Sequence, residues 1–459
     1  MTVVWGGVVG KALNSSVNNS YAKGDVTSIS GSSIGGLIGE MDATSAVSVS
    51  NSFATGNVIG LSDVGGLIGS YKTFNKAIMT VNNCYATGNV KATNGGNVGG
   101  LIGYANYANI SGSHATGEVS VTSTGYVNYI GGLVGEIANG SVISSYATGK
   151  VIGNGFSSYM GGLTGSVTKG SITNSYATGD VANGFECVGG LTGKSSSSNI
   201  KDSWASGDAS GTNQVGGLAG LASGTIINSH ANGNVTGNSL VGGLVGFAGI
   251  GTSISDSYEK GNVTGVDRVG GLVGGIRQDS SISGSYTSGY VTGVTRVGGL
   301  AGYVTRGKIT VNDSYWNKDS QSDVIGEKAS NSTVVFNNVH GLTKDQFKDI
   351  QYYLNGTIDQ VLANRAAATQ AAADAAARLA AQQAAFEDDA RGEAGGTIGR
   401  SLQYQAEPSK PSITVAEASA SVDDHIVFAD SDSYGVHIKA ISAEGVHFDL
   451  EDDFNSKKK

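Results

Sequence analysis

The residues with the clearest chemical potential are planar rings that recur inside one motif, close to I-x-N-S-Y-A-T-G-x-V. Rings stacked at the strand spacing would make a flat strip, and sugars bind such strips through their apolar C–H faces. Ring stacking also stabilises a repetitive fold without a ligand, so a structural ladder is the favoured interpretation and a ligand-contacting strip is the alternative. The candidate ligand-contacting residues are Tyr21, Phe53, Tyr85, Tyr146, Tyr176, Trp204, Tyr258 and Tyr286. Three further copies of the motif carry His114, His230 and Tyr315.

Carboxylates are the second candidate chemistry, because enzymes that cleave polysaccharides use acidic residues at close range on one face. The acidic residues of 1–316 are scattered, and the best group follows the A-T-G turn: Asp25, Glu118, Asp180 and Asp208. Other copies place Asn or Lys at this point, so we interpret the column as solvated turn residues. The sequence shows no Ser-His-Asp set, P-loop or nucleophile elbow. It therefore predicts a protein that is not an enzyme, with a polysaccharide lyase or hydrolase as the alternative.

Metal and thiol chemistry find little support in the sequence. Asn or Asp stands two residues before most of the rings, as in Asn51 and Asp256, but stacked side-chain amides satisfy one another. Calcium would need several convergent oxygens. Cys84 and Cys187 lie in different columns several coils apart, beyond the ~7 Å over which a disulfide can form. We expect two free thiols, no metal and no cofactor.

The elements that must position these residues are internal repeats. A V-G-G-L-x-G core alternates with the ring motif, and a worn copy, W-G-G-V-V-G, begins at Trp5. The clear cores begin at Ile34, Val64, Val98, Ile130, Met160, Val188, Val215, Val241, Val269 and Val297. A β-propeller blade needs ~40–50 residues, and these units are shorter. Each unit offers short strands separated by glycine turns, and it can bury its apolar residues only against its copies.

The period therefore predicts an all-β fold, a parallel β-solenoid (β-helix) of about eleven coils over residues 1–316, rising about 4.8 Å per coil. Proline would remove a ladder donor, and Pro408 and Pro411 both lie outside this range. The leucines of the cores should form one interior column: Leu37, Leu67, Leu101, Leu133, Leu163, Leu191, Leu218, Leu244, Leu272 and Leu300.

Composition supports an ordered β-fold and excludes several classes of protein. Glycine accounts for 73 of 459 residues, but the three-residue period of collagen is absent. Residues 1–316 carry 15 basic and 15 acidic residues, so no basic patch could follow a nucleic-acid backbone. No apolar run reaches the ~18 residues of a membrane helix. The N-terminus lacks signal-peptide features, and a repeat core already begins at Trp5, so we expect a fragment of a longer chain.

The pattern changes after residue 316. Residues 317–356 are predicted to be a C-terminal cap, because a bare last coil would expose apolar side chains and strand edges. Residues 357–391 are rich in alanine, the best helix former, and predict an α-helix. Residues 392–411 predict a linker, and residues 412–459 an acidic tail that could contain a few short strands.

The V-G-G-L-x-G core alternating with N-S-Y-A-T-G-x-V resembles the GLUG repeat of large bacterial surface proteins. The closing S-Y-W-N, followed by G-L-T-x-x-Q, is similar to the end of such arrays in filamentous-haemagglutinin-like adhesins. The resemblance covers about residues 1–350 and implies an exported β-solenoid used in adhesion or biofilm cohesion. It also implies two-partner secretion through an outer-membrane transporter. GLUG repeats accompany certain immunoglobulin-cleaving metallopeptidases as well, but their H-E-x-x-H zinc signature is absent here.

These observations favour an exported adhesin or biofilm-matrix stalk segment, extracellular or at the cell surface. The partner we expect is exopolysaccharide or a neighbouring cell-surface protein, with neither nucleic-acid binding nor a membrane span. Two alternatives remain open: a carbohydrate-active solenoid and a mechanical spacer without a ligand.

Overall fold

A computed structural model describes residues 4–73, 75–350, 436–442 and 445–450 of the chain. The chain divides into two compact units, Met1–Ile350 and Gln351–Lys459. The first unit is a parallel β-solenoid, in which each strand pairs with the equivalent strands of the turns before and after it. The predicted fold class is therefore confirmed.

Two sheets run along the solenoid, and every turn except the last contributes to both. In the larger sheet, one ladder lies directly after the glycine cores, and its members show about twelve turns. Its strands are Val9–Leu13, Ile38–Ala43, Ile68–Thr73, Ile102–Asn106, Val134–Ala138, Thr164–Thr168, Thr192–Lys201, Ala219–Ile227, Val245–Ala248, Val273–Ile276, Ala301–Val304 and Ile325–Lys328.

The same sheet continues with the strands that lead to the rings and those that carry them. The leading strands are Val17–Asn18, Val47–Ser50, Met79–Asn82, Ala108–Ser111, Ser141–Ile143, Ser171–Thr173, Ser253–Ser255, Ser280–Ser283, Gly307–Asn317 and Ser332–Leu342. The ring strands are Tyr21–Ala22, Phe53–Ala54, Tyr85–Ala86, His114–Ala115, Tyr146–Ala147, Tyr176–Ala177, Trp204–Ala205, His230–Ala231, Tyr258–Glu259 and Tyr286–Thr287.

The smaller sheet holds the valines after the A-T-G turn and the beginning of each glycine core. Its outer members are Val26–Thr27, Val58–Gly60, Val90–Ala92, Val119–Val121, Val235–Thr236, Val263–Thr264 and Val291–Thr292. Its core members are Val4–Gly6, Ser33–Gly35, Val64–Gly65, Val98–Gly99, Val127–Gly131, Ser239–Gly242, Asp267–Gly270 and Thr295–Gly298. Three strands cover both positions: Val151–Gly161, Val181–Gly189 and Ala209–Gly216.

Two apolar cores fill the solenoid, one beside each sheet. The predicted leucine column lies in the larger core, where every member is buried, and the Leu37 N–H donates to the Leu67 carbonyl at 3.0 Å. Glycine is needed next to it, because a Cβ on Gly36 would approach the Cβ of Ala54 to 2.8 Å. The repeated glycine and the repeated alanine thus form a close contact between the two sides of most turns.

The solenoid extends past residue 316, where the sequence predicted that a cap replaces the array. Ile325–Lys328 pairs in parallel with Ala301–Val304, and Ser332–Leu342 with Gly307–Asn317. This turn has no V-G-G-L core, which is why the repeat pattern did not reveal it. The short 3₁₀ helix Gln346–Asp349 follows and places Phe347 against Tyr286, with ring centres 6.0 Å apart.

The second unit is described at one place, where Val436–Ser442 pairs antiparallel with Gly445–Leu450. These strands fall within the tail in which short strands were expected. The predicted alanine-rich helix, 357–391, and the predicted linker, 392–411, lie outside the described residues. Within the part of the chain that the structure describes, no helix has the length and apolar character to cross a membrane.

Candidate functional site

The structure brings all eight predicted ring residues into one stack, together with His114 and His230. Neighbouring ring centres along Tyr21–Tyr286 are 4.5 to 6.0 Å apart, and the ring planes differ by 2 to 9°. The stack follows the ladder because each ring pairs in register with the ring of the next turn, as Tyr146 does with Tyr176. Ring spacing is therefore set by the strand spacing of ~4.8 Å.

A buried serine before most of the rings fixes the stack to the backbone. The Ser145 Oγ–H donates to the Ile143 carbonyl at 2.8 Å, and the same oxygen accepts the Ser113 N–H at 3.1 Å. The same pair of bonds recurs at most copies of the motif. Two residues before the ring, Asn51 has a φ of 49°, a left-handed conformation that Asn tolerates. The small serine and the Asn or Asp column thus have a local structural role.

Accessibility decides what the stack could contact. Most rings are half-buried, while Tyr21 at the first turn is 57% exposed and Tyr286 near the last is 4% exposed. Within the stack, both faces of a ring such as Tyr146 lie against its neighbours, so outside molecules reach the ring edges. Sugar stacking on a ring face needs that face to be free. The geometry thus favours the structural ladder for the faces and leaves a strip of edges and tyrosine hydroxyls as contact surface.

The carboxylates of the turn column support the turns themselves. The Asp25 Oδ1 accepts the Asn57 N–H at 2.7 Å, and the Asp208 Oδ1 accepts the Asn234 N–H at 2.7 Å. A hydrogen bond from Lys150, whose Nζ lies 2.9 Å from the Asp180 carboxylate, holds the pKa of that carboxyl below its usual value. Asp25, Asp180 and Asp208 are thus bonded to the adjacent turn of a solvated edge.

The two cysteines are free, as predicted, and both are buried. Cys84 fills the serine position, and its N–H donates to the Ser113 Oγ at 3.1 Å. Burial raises the pKa of the Cys187 thiol to about 12, which keeps it protonated at neutral pH. Among the residues that the structure describes, no three His, Cys, Asp or Glu side chains are grouped as metal ligands would be.

Sequence reasoning missed a pair of non-repeating columns that flank the glycine cores, here called the lateral strip. The first column, directly before the core valine, contains Ser33, Asp63, Asn97, Tyr129, Tyr159, Cys187, Gln214, Leu240, Arg268 and Arg296. The second, in register after the core, contains Lys11, Glu40, Ser70, Tyr104, Glu136, Ser166, Lys194, Leu221, Phe247, Gly275, Tyr303 and Glu327. The signal was available, because both positions vary between otherwise similar copies.

Side chains of the two columns meet across the strip. The Ser33 Oγ lies 3.4 Å from Glu40 Oε2, and the Lys194 Nζ lies 5.0 Å from the Tyr159 ring centre. Desolvation opposes ionisation of Glu40, but hydrogen bonds from Lys11 and Lys72 outweigh it, so the pKa of this carboxyl lies below its usual value. The strip therefore combines charge, hydroxyls and rings in an arrangement that changes from turn to turn.

A second missed residue is Glu259, which occupies the interior alanine column between Ala231 and Thr287. Its side chain is fully buried, and the Thr287 Oγ1–H and the Glu259 Oε2 are 2.7 Å apart. Burial raises the pKa of this carboxyl well above its usual value. The carboxyl is consequently neutral in the folded protein at pH values where it would ionise in water.

Comparison with known proteins identifies GLUG motifs in five segments, residues 6–27, 94–122, 126–152, 156–182 and 211–236. A halomucin from Haloquadratum walsbyi is 35% identical over 153 residues, which are 32% of this chain and 2% of the halomucin. The match thus spans a small fraction of that protein's length. No solved structure matches the chain at a significant level. The chain is a GLUG-containing repeat protein with a β-solenoid fold.

Proposed function

We propose that this chain is an exported, non-catalytic stalk segment at the cell surface, where its side contacts extracellular polysaccharide or neighbouring surface proteins. The observation that carries the proposal is the ring stack, which presents a similar strip of edges over the nine consecutive turns from Tyr21 to Tyr258. Each edge offers a weak contact. A ligand that is itself repetitive engages several turns at once and gains affinity by multivalency.

The similarity to GLUG repeats and to a halomucin segment supports a surface or structural repeat protein. The finer assignment, a filamentous-haemagglutinin-like adhesin that leaves the cell by two-partner secretion through an outer-membrane transporter, belongs to the same proposal. It rests on the resemblance of the motifs and of the closing S-Y-W-N segment. Biofilm cohesion is the activity that this assignment implies.

The test is made on intact cells of the source organism. An amine-reactive, membrane-impermeant label should modify the protein on unbroken cells, because exposed lysines such as Lys23 and Lys169 lie on the solenoid. A cytoplasmic protein of similar lysine content is the control and should stay unlabelled. Deletion of the gene should weaken cell aggregation or matrix retention. Labelling only after lysis, or aggregation unchanged by the deletion, would remove the surface-stalk assignment.

A ligand-free spacer is the second candidate, and the serine ladder favours it. The buried hydroxyl bonds stabilise the stack from within, so the rings would persist without any external contact. If the chain is a spacer, the purified protein should not bind matrix polysaccharide. If the side of the solenoid contacts a ligand, as we propose, the purified protein should bind it.

A further inference from the structure

The middle of the lateral strip differs from its two ends in how its polar groups are satisfied. At the N-terminal end, Lys11 and Lys72 each lie 2.7 Å from Glu40. At the C-terminal end, Arg296 makes two bonds of 2.6 Å to Asp267. In the middle, Glu136, Ser166 and Lys194 carry the same kinds of group, but these groups lack comparable partners.

These three residues occupy consecutive turns in register. Glu136 pairs with Ser166, and Ser166 pairs with Lys194, in adjacent strands of the larger sheet. At a strand spacing of ~4.8 Å, the row extends over about 10 Å from first to last. A carboxyl group, a hydroxyl and an ammonium group therefore stand in line along the solenoid axis.

Each of the three lacks a hydrogen-bonding partner among the described residues. The Glu136 carboxyl makes no hydrogen bond or ion pair there, and the Lys194 ammonium makes a cation–π contact with Tyr159 and attracts the Glu136 carboxyl without a direct ion pair. Ser166 is 1% exposed, and its Oγ is buried without a partner. A buried hydroxyl without a partner is unfavourable, and alanine at this position would avoid the penalty. An external ligand would explain why these groups stand unsatisfied in one row.

The surroundings favour a ligand that is both hydroxylated and anionic. Burial raises the pKa of the Glu136 carboxyl above its usual value, with Lys194 opposing this and Asp63 adding to it, so the group retains a hydrogen-bonding proton more readily. The stacked rings of Tyr129 and Tyr159, 5.1 Å apart, line the facing column. Lys194 is held by one cation–π contact and by its attraction to Glu136, without a hydrogen bond from its ammonium, so the ammonium can move to an external carboxylate. Because the Ser166 Oγ is buried, binding to it requires that this movement uncover the hydroxyl.

We propose that Glu136, Ser166 and Lys194 form a binding site for a segment of an acidic polysaccharide. Lys194 pairs with the carboxylate of a uronic-acid residue, Glu136 bonds sugar hydroxyls, and the Ser166 hydroxyl bonds the portion between them. The length of the row suits a short oligomer better than a monosaccharide. The ligand class rests on the proposed function, whereas the site itself rests on the three unsatisfied groups.

The experiment uses the full purified chain and a hexamer of α-1,4-linked galacturonic acid, titrated by calorimetry at low salt. We expect one site per chain. Lys194→Met should weaken binding on the order of tenfold, because it removes a hydrogen bond to the charged carboxylate of the ligand. Glu136→Gln should weaken binding several-fold, because an amide replaces the carboxyl group that bonds the sugar hydroxyls. Ser166→Ala should weaken binding several-fold without lowering thermal stability, because its hydroxyl has no internal partner to lose.

Matched controls carry the same chemical changes elsewhere on the surface. Lys169→Met and Glu118→Gln alter exposed residues of neighbouring turns and should leave binding unchanged. If the controls weaken binding as much as the site variants do, the hexamer binds by diffuse charge and the site is refuted. The ligand class is overturned if the chain binds a neutral glucose hexamer or hexa-aspartate but does not bind the galacturonate hexamer. The surface-stalk proposal is judged separately, on labelling of intact cells, and survives either result.

Discussion

At the residue scale, the interior columns tolerate few chemical types, and Glu259 is the exception that can be measured. Its neighbours in the column are Ala231 and Thr287, so the carboxyl lies in a dry interior with the Thr287 hydroxyl 2.7 Å away. Because burial raises its pKa in the folded protein, the unfolded chain releases this proton first as the pH rises. The stability associated with neutral Glu259 is complete below its ordinary pKa near 4.5 and is lost progressively above it.

Glu259→Gln should therefore leave stability at pH 4 close to that of the natural chain and raise it at pH 8. The amide keeps the shape and the acceptor for Thr287 but cannot ionise. In the pH range where Glu259 is ionised only in the unfolded state, the free energy of unfolding of the natural chain should fall relative to that of the variant by about 1.4 kcal/mol per pH unit. Urea denaturation at several pH values measures it, with the exposed Glu118→Gln as control. Equal pH dependence in both chains would show that Glu259 is ionised when folded.

The leucine column gives a second prediction at this scale. Leu191→Asp should destabilise the solenoid by several kcal/mol, because an unpaired carboxylate would enter an apolar ladder. Ile143→Asp, at an exposed position, is the matched control and should cost far less. The decrease in the denaturant concentration at the unfolding midpoint measures the effect of each substitution. A midpoint equally affected by both changes would place Leu191 outside the dry core.

At the element scale, the ring ladder and the serine ladder act together on the strands that carry them. Tyr146 stacks between His114 and Tyr176 at 4.7 and 5.0 Å. Each internal ring makes two such contacts, and an aromatic pair contributes ~0.5–1.5 kcal/mol of stability beyond its buried area. The rings therefore connect turns along one side, in addition to the backbone ladder.

Tyr146→Ala should lower stability by about 1–3 kcal/mol, the value of two stacking contacts. Tyr126→Ala is the control, because this exposed ring has one edge contact with Phe156 at 6.0 Å and lies outside the stack. Hydrogen exchange of the Tyr146 and Ala147 amides should quicken in the first variant. Unchanged exchange there would mean that the rings contribute nothing to the coupling between turns.

The repeats made the solenoid, its leucine column and its ring column predictable, because a residue that recurs in every turn must meet its own copies. Residues that do not recur escaped this reasoning. Ile325–Lys328 forms a further turn without a glycine core, and Glu136 and Lys194 vary at positions where other copies carry Phe247 or Gly275. The role of a non-repeating residue depends on which side chains lie beside it in adjacent turns, and the periodicity alone does not determine this. The sequence predicted that the rings lie next to one another. Whether stacking covers the ring faces depends on the angle between the ring planes, which the periodicity does not give.

At the scale of the whole molecule, the described solenoid joins many similar side surfaces with one row that is unique. The repeated ring edges suit a multivalent contact, while the Glu136–Lys194 row suits a single specific one. Because each turn contacts mainly its neighbours, turns removed from one end should leave the others folded. The two kinds of contact can then be separated by shortening the chain from its N-terminal end, which leaves the unique row in place.

The central claim is that contact with the extracellular matrix grows with the number of turns. The most direct measurement is binding to immobilised matrix polysaccharide by chains from which the turns before Val127–Gly131 are removed one at a time. Circular dichroism verifies that each shortened chain stays folded. The surface-stalk account predicts that the residence time falls with every turn lost, although Glu136, Ser166 and Lys194 remain. Binding that stays constant as these turns disappear would contradict it.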